Sequence, residues 1–320
     1  MLTRGSLIYM GQRVVLILFT TLAVSSLVFL GVHSLPGNAF ISEHRINPQA
    51  IAEIMHHYNL DLPLWDQYRL FMSNLILHGN LGESVINRGV QITPLLLREA
   101  TVSAEVGGVA LLFTVGVGVL LGVIAAIKQN TWIDYVATTT SVIGFSMPNF
   151  VIASMLLVFF GVWLYNWTGG AFYYDIGWNG TYGTLGQLPV PAFALGFPYA
   201  SIVARLTRAS MLETIKQDYV RTARAKGLPS RIVITRHALR NALIPVVTIL
   251  GPLVTGIITG SVVIENIFGI PGLGKEFVTS ILNRDYNIVI GVFTFYAGLV
   301  GLANLVVDML YTVIDPRIRY

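Results

Sequence analysis

The chain has 320 residues, 54% of them apolar and only 11% charged, with a net charge of +4 and no cysteine. A soluble globule carries about 25% charged residues, so this composition, with a mean hydropathy of +0.68, excludes one. The missing cysteine excludes disulfides and thiolate metal sites.

Gln12 to Val32 is one apolar run, with Arg4 before it and Arg13 at its start. A cleaved signal peptide has an apolar core of about 7–15 residues. This run is longer and reads as a retained first span. A mixed-charge connection follows from His33 to Arg98. It is expected to be helical around Pro48–Tyr58 and Leu64–Leu77, with a turn at Gly79–Gly82. His56 and His57 are adjacent, and adjacent helix positions do not face each other, so they read as a solvated or packed pair and not as metal ligands.

Thr101 to Ile127 is the second span. Its Gly118/Gly122 pair permits close helix approach in lipid. Glu105 is an acid in an apolar run and so a candidate for the translocation path. Tyr135 to Tyr165 is the third span, with Pro148 expected to kink it by removing a backbone bond; Pro148 is the second path candidate. The aromatic stretch from Asn166 to Gln187 suits a membrane interface. Leu188 to Ala204 is a short fourth span interrupted by Pro189, Pro191 and Pro198.

Between Arg205 and Arg240 stand nine basic residues, opposed by Glu213 and Asp218 alone, a net +7. One charge at the bilayer centre costs about 2.5–3.5 kcal/mol. The segment must therefore sit in water or against a polar partner. A basic patch can also read as a nucleic-acid surface, but apolar runs on both sides place this one at a membrane, with no nucleic acid as partner. Asp218 can cap a helix from Tyr219 to Lys226, whose residues are mostly good helix formers. Gly227 followed by Leu228-Pro229 stops it. Val220, Ala223 and Gly227 share one stripe of small side chains, suited to docking into another protein's groove. A second helix is expected from about Ser230.

Ala242 to Ile264 is the fifth span, and Val289 to Tyr311 the sixth. Between them Gly269, Gly274 and Lys275 match the start of a phosphate loop. Glu276 stands where the Ser/Thr that holds magnesium would be, so nucleotide binding is not expected there. With the N-terminus inside, six spans put fourteen basic residues inside and six outside, four of those six in one long loop. The positive-inside rule therefore places both termini and the basic loop in the cytoplasm.

Asp218, Tyr219, Val220, Arg221, Thr222, Ala223, Arg224, Ala225, Lys226 and Gly227, followed by RHALRNALIP at 236–245, resemble the "EAA" loop of ABC-transporter permeases. The form is similar to the dipeptide/oligopeptide/nickel importer branch, as are LPGN, LDLPLWDQY and NLGES after the first span, IFGIPGLG before the last, and the tail Asp315–Arg319. Arg221 stands where many members carry Glu. The resemblance implies an all-α polytopic membrane protein of six spans, with a cytoplasmic coupling loop at about 211–240. Its expected parts are a tail and first span (1–32), an extracytoplasmic insert (33–100) and a permease core (101–320). It implies a non-catalytic subunit in the cell inner membrane with no cofactor of its own, ATP and magnesium being bound by partners. Those partners would be a second, related permease in a heterodimer, two ATPase subunits and an extracytoplasmic solute-binding protein. The implied cargo is a di- or oligopeptide, ahead of nickel chelates. Few charges interrupt the spans, which separates this reading from the alternative of an ion-coupled carrier or channel. No Ser/His/Asp order, HExxH helix or carboxylate pair points to an enzyme.

Overall fold

The computed structural model describes residues 4–34, 48–171, 178 and 186–314. Among the described residues every regular element is helical, and the only extended pairing is one antiparallel bridge, Glu83–Gln91. In chain order the helices are α1 (Arg4–His33), α2 (Pro48–His57), α3 (Leu64–His78), α4 (Ile92–Ile127), α5 (Trp132–Ser146), α6 (Asn149–Trp167), α7 (Pro189–Thr214) and α8 (Asp218–Ala225). Next comes α9, a run of Ser230–Ile232, Val233–Ala238 and Leu239–Ala242 with a π-type middle. The short helical turn Ile244–Thr248 leads to α10 (Leu250–Phe268), α11 (Leu273–Asn283) and α12 (Tyr286–Ile314). Among the described residues six helices, α1, α4, α6, α7, α10 and α12, are long and apolar enough to cross a membrane. The shortest, α6 and α10, have 19 residues, about 29 Å at 1.5 Å per residue, which matches the hydrocarbon core.

The six expected spans are present; the first and sixth begin a few residues before Gln12 and Val289, and the other four differ more. The second begins at Ile92, nine residues before Thr101, because Ile92 and Leu96 are fully buried and continue the helical pattern. The third is broken, not kinked. α5 ends at Ser146, Met147 is extended (φ −88°, ψ 128°), and Pro148 opens α6. The clash of a proline ring with the residue before it disfavours the helical region, and Met147 takes the extended alternative. The fourth is long and continuous, 26 residues to Thr214. Pro189 and Pro191 lie in its first turn, where no intrahelical N–H is needed, and Pro198 is accommodated within it. The fifth starts at Leu250 and runs on to Phe268, so Glu265 falls inside a span. The aromatic stretch 172–177 and 179–185, LPGN at 35–38 and the tail from 315 lie outside the described residues.

The chain forms two compact units. One contains residues up to 101 and from 271 to 306. In it Phe29, Val32, Val289 and Ile290 pack α1 on α12, with Tyr68 and Phe71 of α3 beside them. Leu81, Ile92, Leu96, Leu273, Ile288 and Val292 form a second core. Asp285, 2% exposed, ties this unit together: its carboxylate accepts from the Ser84 hydroxyl and from the backbone N–H groups of Val85 and Ile86. It also accepts from the Ile288 N–H and so caps α12.

The other unit contains residues 102–270 and the last part of α12. Its core packs α4, α6, α7 and α10 through Val106, Ala110, Ile152, Ala153, Leu195 and Ile264. α4 and α7 approach closely at the glycine pair. A Cβ on Gly118 would lie 2.7 Å from Val203 Cβ, and one on Gly122 only 2.5 Å from the Ala204 carbonyl oxygen. Gly122→Ala is therefore expected to push the helices apart, costing about 1–3 kcal/mol and lowering the thermal midpoint of the detergent-solubilised protein. Gly116→Ala has open space around its Cβ and is expected to leave that midpoint unchanged.

Candidate functional site

The basic loop is a short helix set at a fixed angle by its own chain. α8 starts at Asp218, one residue before the expected start, and Gln217 (φ −68°, ψ 148°) is the residue before the first turn. Asp218 is consequently not a cap: its side chain is 97% exposed and lies 3.8 Å from Arg221, whose own is 72% exposed. It still sits in the first turn, where a negative charge suits the helix dipole. Thr222 Oγ1 donates to the Asp218 carbonyl at 2.9 Å.

The end of α8 follows the Schellman pattern. Lys226 is the last half-helical residue and Gly227 takes φ +76°. Gly227 N–H donates to Arg224 O at 2.9 Å and Leu228 N–H to Ala223 O at 3.4 Å. Glycine, with no Cβ, takes that left-handed position at no steric cost. Pro229 then opens α9.

The stripe of small residues serves the chain itself and not a partner's groove. Val220 is 0% exposed, and with Ala223 it packs on Val233 of α9. Asn241 Nδ2 donates to the Tyr219 hydroxyl oxygen at 2.8 Å, a second tie to α9. Tyr219, Arg221, Thr222, Arg224, Ala225 and Lys226 are left exposed. α8 is thus bolted down by its apolar side and presents a cationic one.

Arg205 and Arg208 do not belong to that loop. Both lie on α7 and meet the charge constraint with partners. Arg205 sits 4.4 Å over the Phe145 ring of α5. Arg208 makes a two-bond fork to Asp134 in the first turn of α5, Nε to Oδ1 at 2.6 Å and Nη2 to Oδ2 at 2.8 Å. Asp134 also accepts from the Asn130 N–H at 3.0 Å and the Thr138 hydroxyl at 3.3 Å. The Arg208 guanidinium, with these further donors, holds the Asp134 carboxyl down to about 2. In the sequence Arg208 reads as part of the aqueous loop and Asp134 does not stand out. The usable signal is an acid six residues after Lys128, close to a span end.

Of the two path candidates, Glu105 is half-buried on α4 and Pro148 begins α6. Glu265, which in the sequence merely follows the fifth apolar run, is fully buried on α10 and accepts from Ser103 Oγ of α4 at 2.7 Å. The apparent phosphate loop is a helix end and a helix start. Gly269 (φ +67°) terminates α10, and Gly274 is buried in the first turn of α11.

These features define a class: a multi-pass helical membrane protein that carries a short, exposed basic helix between two of its spans. Residues 118–320 match the model of the family "Binding-protein-dependent transport system inner membrane component". The chain belongs to that family and is a multi-pass inner-membrane subunit of a transport system, which disfavours a self-contained carrier or channel. It is 41% identical over 303 residues, 95% of each chain, to the "Oligopeptide transport system permease protein OppB" of Salmonella typhimurium. It is 40% identical over 311 residues, 97% of each chain, to the "Dipeptide transport system permease protein DppB" of Bacillus subtilis. A solved structure described as "Crystal structure of an amino acid ABC transporter with histidines" superposes with a TM-score of 0.49 at 17% identity, over 71% of this chain and 95% of that one, a likeness too slight to carry weight.

The Asp134 shift sets a pH dependence. A carboxyl held at about 2, below its ordinary 3.8, contributes stability that is fully present above 3.8 and is lost as pH falls toward 2. The thermal-midpoint gap between the natural protein and Asp134→Asn is therefore expected to be constant from neutral pH down to about 5 and to shrink below about 4.

Proposed function

We propose that this chain is one permease of an ATP-driven importer of di- and oligopeptides. The peptide class is the one named for relatives that match it almost end to end. Asp218–Gly227 is the coupling segment, gripped by a separate ATPase subunit that binds and hydrolyses ATP with magnesium. The observation that carries this reading is the division of labour on α8. Its apolar stripe is consumed by Val233, so the helix is rigidly attached, while Tyr219, Arg221, Arg224 and Lys226 stay exposed. A rigid, cationic, exposed helix is a handle by which another protein can move the spans.

The remaining assembly follows from the same reading. A second, related permease completes a heterodimer, two ATPase subunits drive it, and a solute-binding protein delivers cargo from outside. Both termini and α8 are cytoplasmic, and residues 33–100 form the extracytoplasmic insert, in line with the concentration of basic residues in the loop between α7 and α10. Glu105 and the break at Pro148 belong to the path that opens and closes.

The test uses the exposed face only, because Val220 and Ala223 are needed for packing. Arg221→Glu, Arg224→Glu and Lys226→Glu together reverse the charge of that face. We expect at least a roughly tenfold loss of ATPase co-purification, the scale of a lost set of interface contacts, with membrane insertion and yield unchanged. Retention of the ATPase at the natural level contradicts the docking assignment.

A further inference from the structure

We infer that Asp134 and Arg208 are positioning residues of the transport stroke: their forked ion pair makes α5 move with α7, so that displacement of the docking helix reaches the break at Met147–Pro148. This rests on the docking reading above and adds the route inside the chain.

No slack separates the docking helix from α7. Ile215 N–H donates to Met211 O at 2.9 Å, Lys216 N–H to Glu213 O at 3.2 Å and Gln217 N–H to Thr214 O at 3.1 Å. Val220 and Arg221 N–H then both donate to Gln217 O, at 3.0 and 3.1 Å. The backbone is hydrogen-bonded from the end of α7 into α8. Met211, Ala126, Ala238 and Ala242 form an apolar floor beneath this corner and hold α7 against α4 and α9. Push on α8, and α7 goes with it.

The fork is the polar joint between α7 and α5. Its two parallel bonds resist both sliding and rotation, which one contact would not. The Asp134 side chain is 4% exposed and that of Arg208 28%, so salt screens the pair little. Nearby, Arg205 of α7 covers Phe145 of α5. Toward the far end of α5, a Cβ on Gly144 would collide with Ser201 Oγ of α7. α5 therefore lies on α7 along its length and is locked there at the Asp134 end. It stops at Ser146, and Met147 is extended before α6 begins. Such an element end can absorb the backbone rotations of a hinge. α6 in turn packs on α7 and α10 in the core.

The chain has no native cysteine, so Asp134→Cys with Arg208→Cys places the only two thiols of this subunit at the joint. The complete complex, with partner permease, ATPase subunits and binding protein, is reconstituted in proteoliposomes. ATP hydrolysis and uptake of a labelled di- and tripeptide mixture are measured together. We expect hydrolysis to stay within about twofold of the natural complex while uptake falls about tenfold, the scale on which one contact changes coupling between sites. A bifunctional thiol cross-linker is expected to restore uptake, and Asp134→Asn to reproduce the loss without it. Hydrolysis and uptake falling in equal proportion, uptake remaining at the natural level, or no recovery on cross-linking each overturn the inference. Each of these failures is read in a complex that keeps its ATPase. Failure of the docking reading leaves the ATPase bound after charge reversal of the α8 face, so the two are separable.

Discussion

The cost of holding positive charge away from water shapes this molecule. Nine basic residues stand between Arg205 and Arg240 in a chain that is otherwise apolar, and each needs water or a partner. Two solutions are in use. Arg205 and Arg208 stay on a spanning helix and are matched by an aromatic face and a buried carboxylate. Arg221, Arg224 and Lys226 are carried out into solvent on α8. The second solution leaves a cationic surface open to water. The first ties α7 to α5.

The second constraint is closeness. In lipid, apolar side chains gain little by leaving their surroundings for one another, so helix association leans on van der Waals fit and on short polar contacts. Gly118 and Gly122 let α4 lie against the backbone of α7, and Gly144 lets α5 lie close on the same helix. Ser25 and Thr294 share a buried hydrogen bond of 2.9 Å between α1 and α12. Close packing of this kind is stiff, and stiffness lets a push at one end of α7 arrive elsewhere as movement. The break at Met147–Pro148 and the turn at Ile244–Thr248 interrupt the spans where the helices would otherwise be rigid rods.

The amino-acid sequence alone makes much of this legible. Six long apolar runs read as six spans because hydrocarbon tolerates little else. The end of α8 is legible from Gly227-Leu228-Pro229, whose stop chemistry is local. Features that depend on distant partners are not legible in the same way. Asp218 looks like a cap, yet the backbone begins its helix one residue earlier and leaves it exposed. The Val220/Ala223 stripe looks like a partner surface, and only the fold brings Val233 onto it. Arg208 looks like a residue for water because its acid lies 74 positions away on another helix. Pro189 and Pro191 look like interruptions, but first-turn prolines start helices. Glu265 looks like a span end because the run of apolar residues stops there, while the backbone continues to Phe268.

A coupling role for α8 depends on which side of the membrane it occupies. A single cysteine in place of Arg224, on this cysteine-free chain, can be probed with a membrane-impermeant thiol reagent in sealed vesicles of both orientations. Modification in inside-out vesicles and protection in right-side-out vesicles is the predicted result. Modification from the extracytoplasmic side in intact cells would contradict it, because no ATPase could then reach the helix.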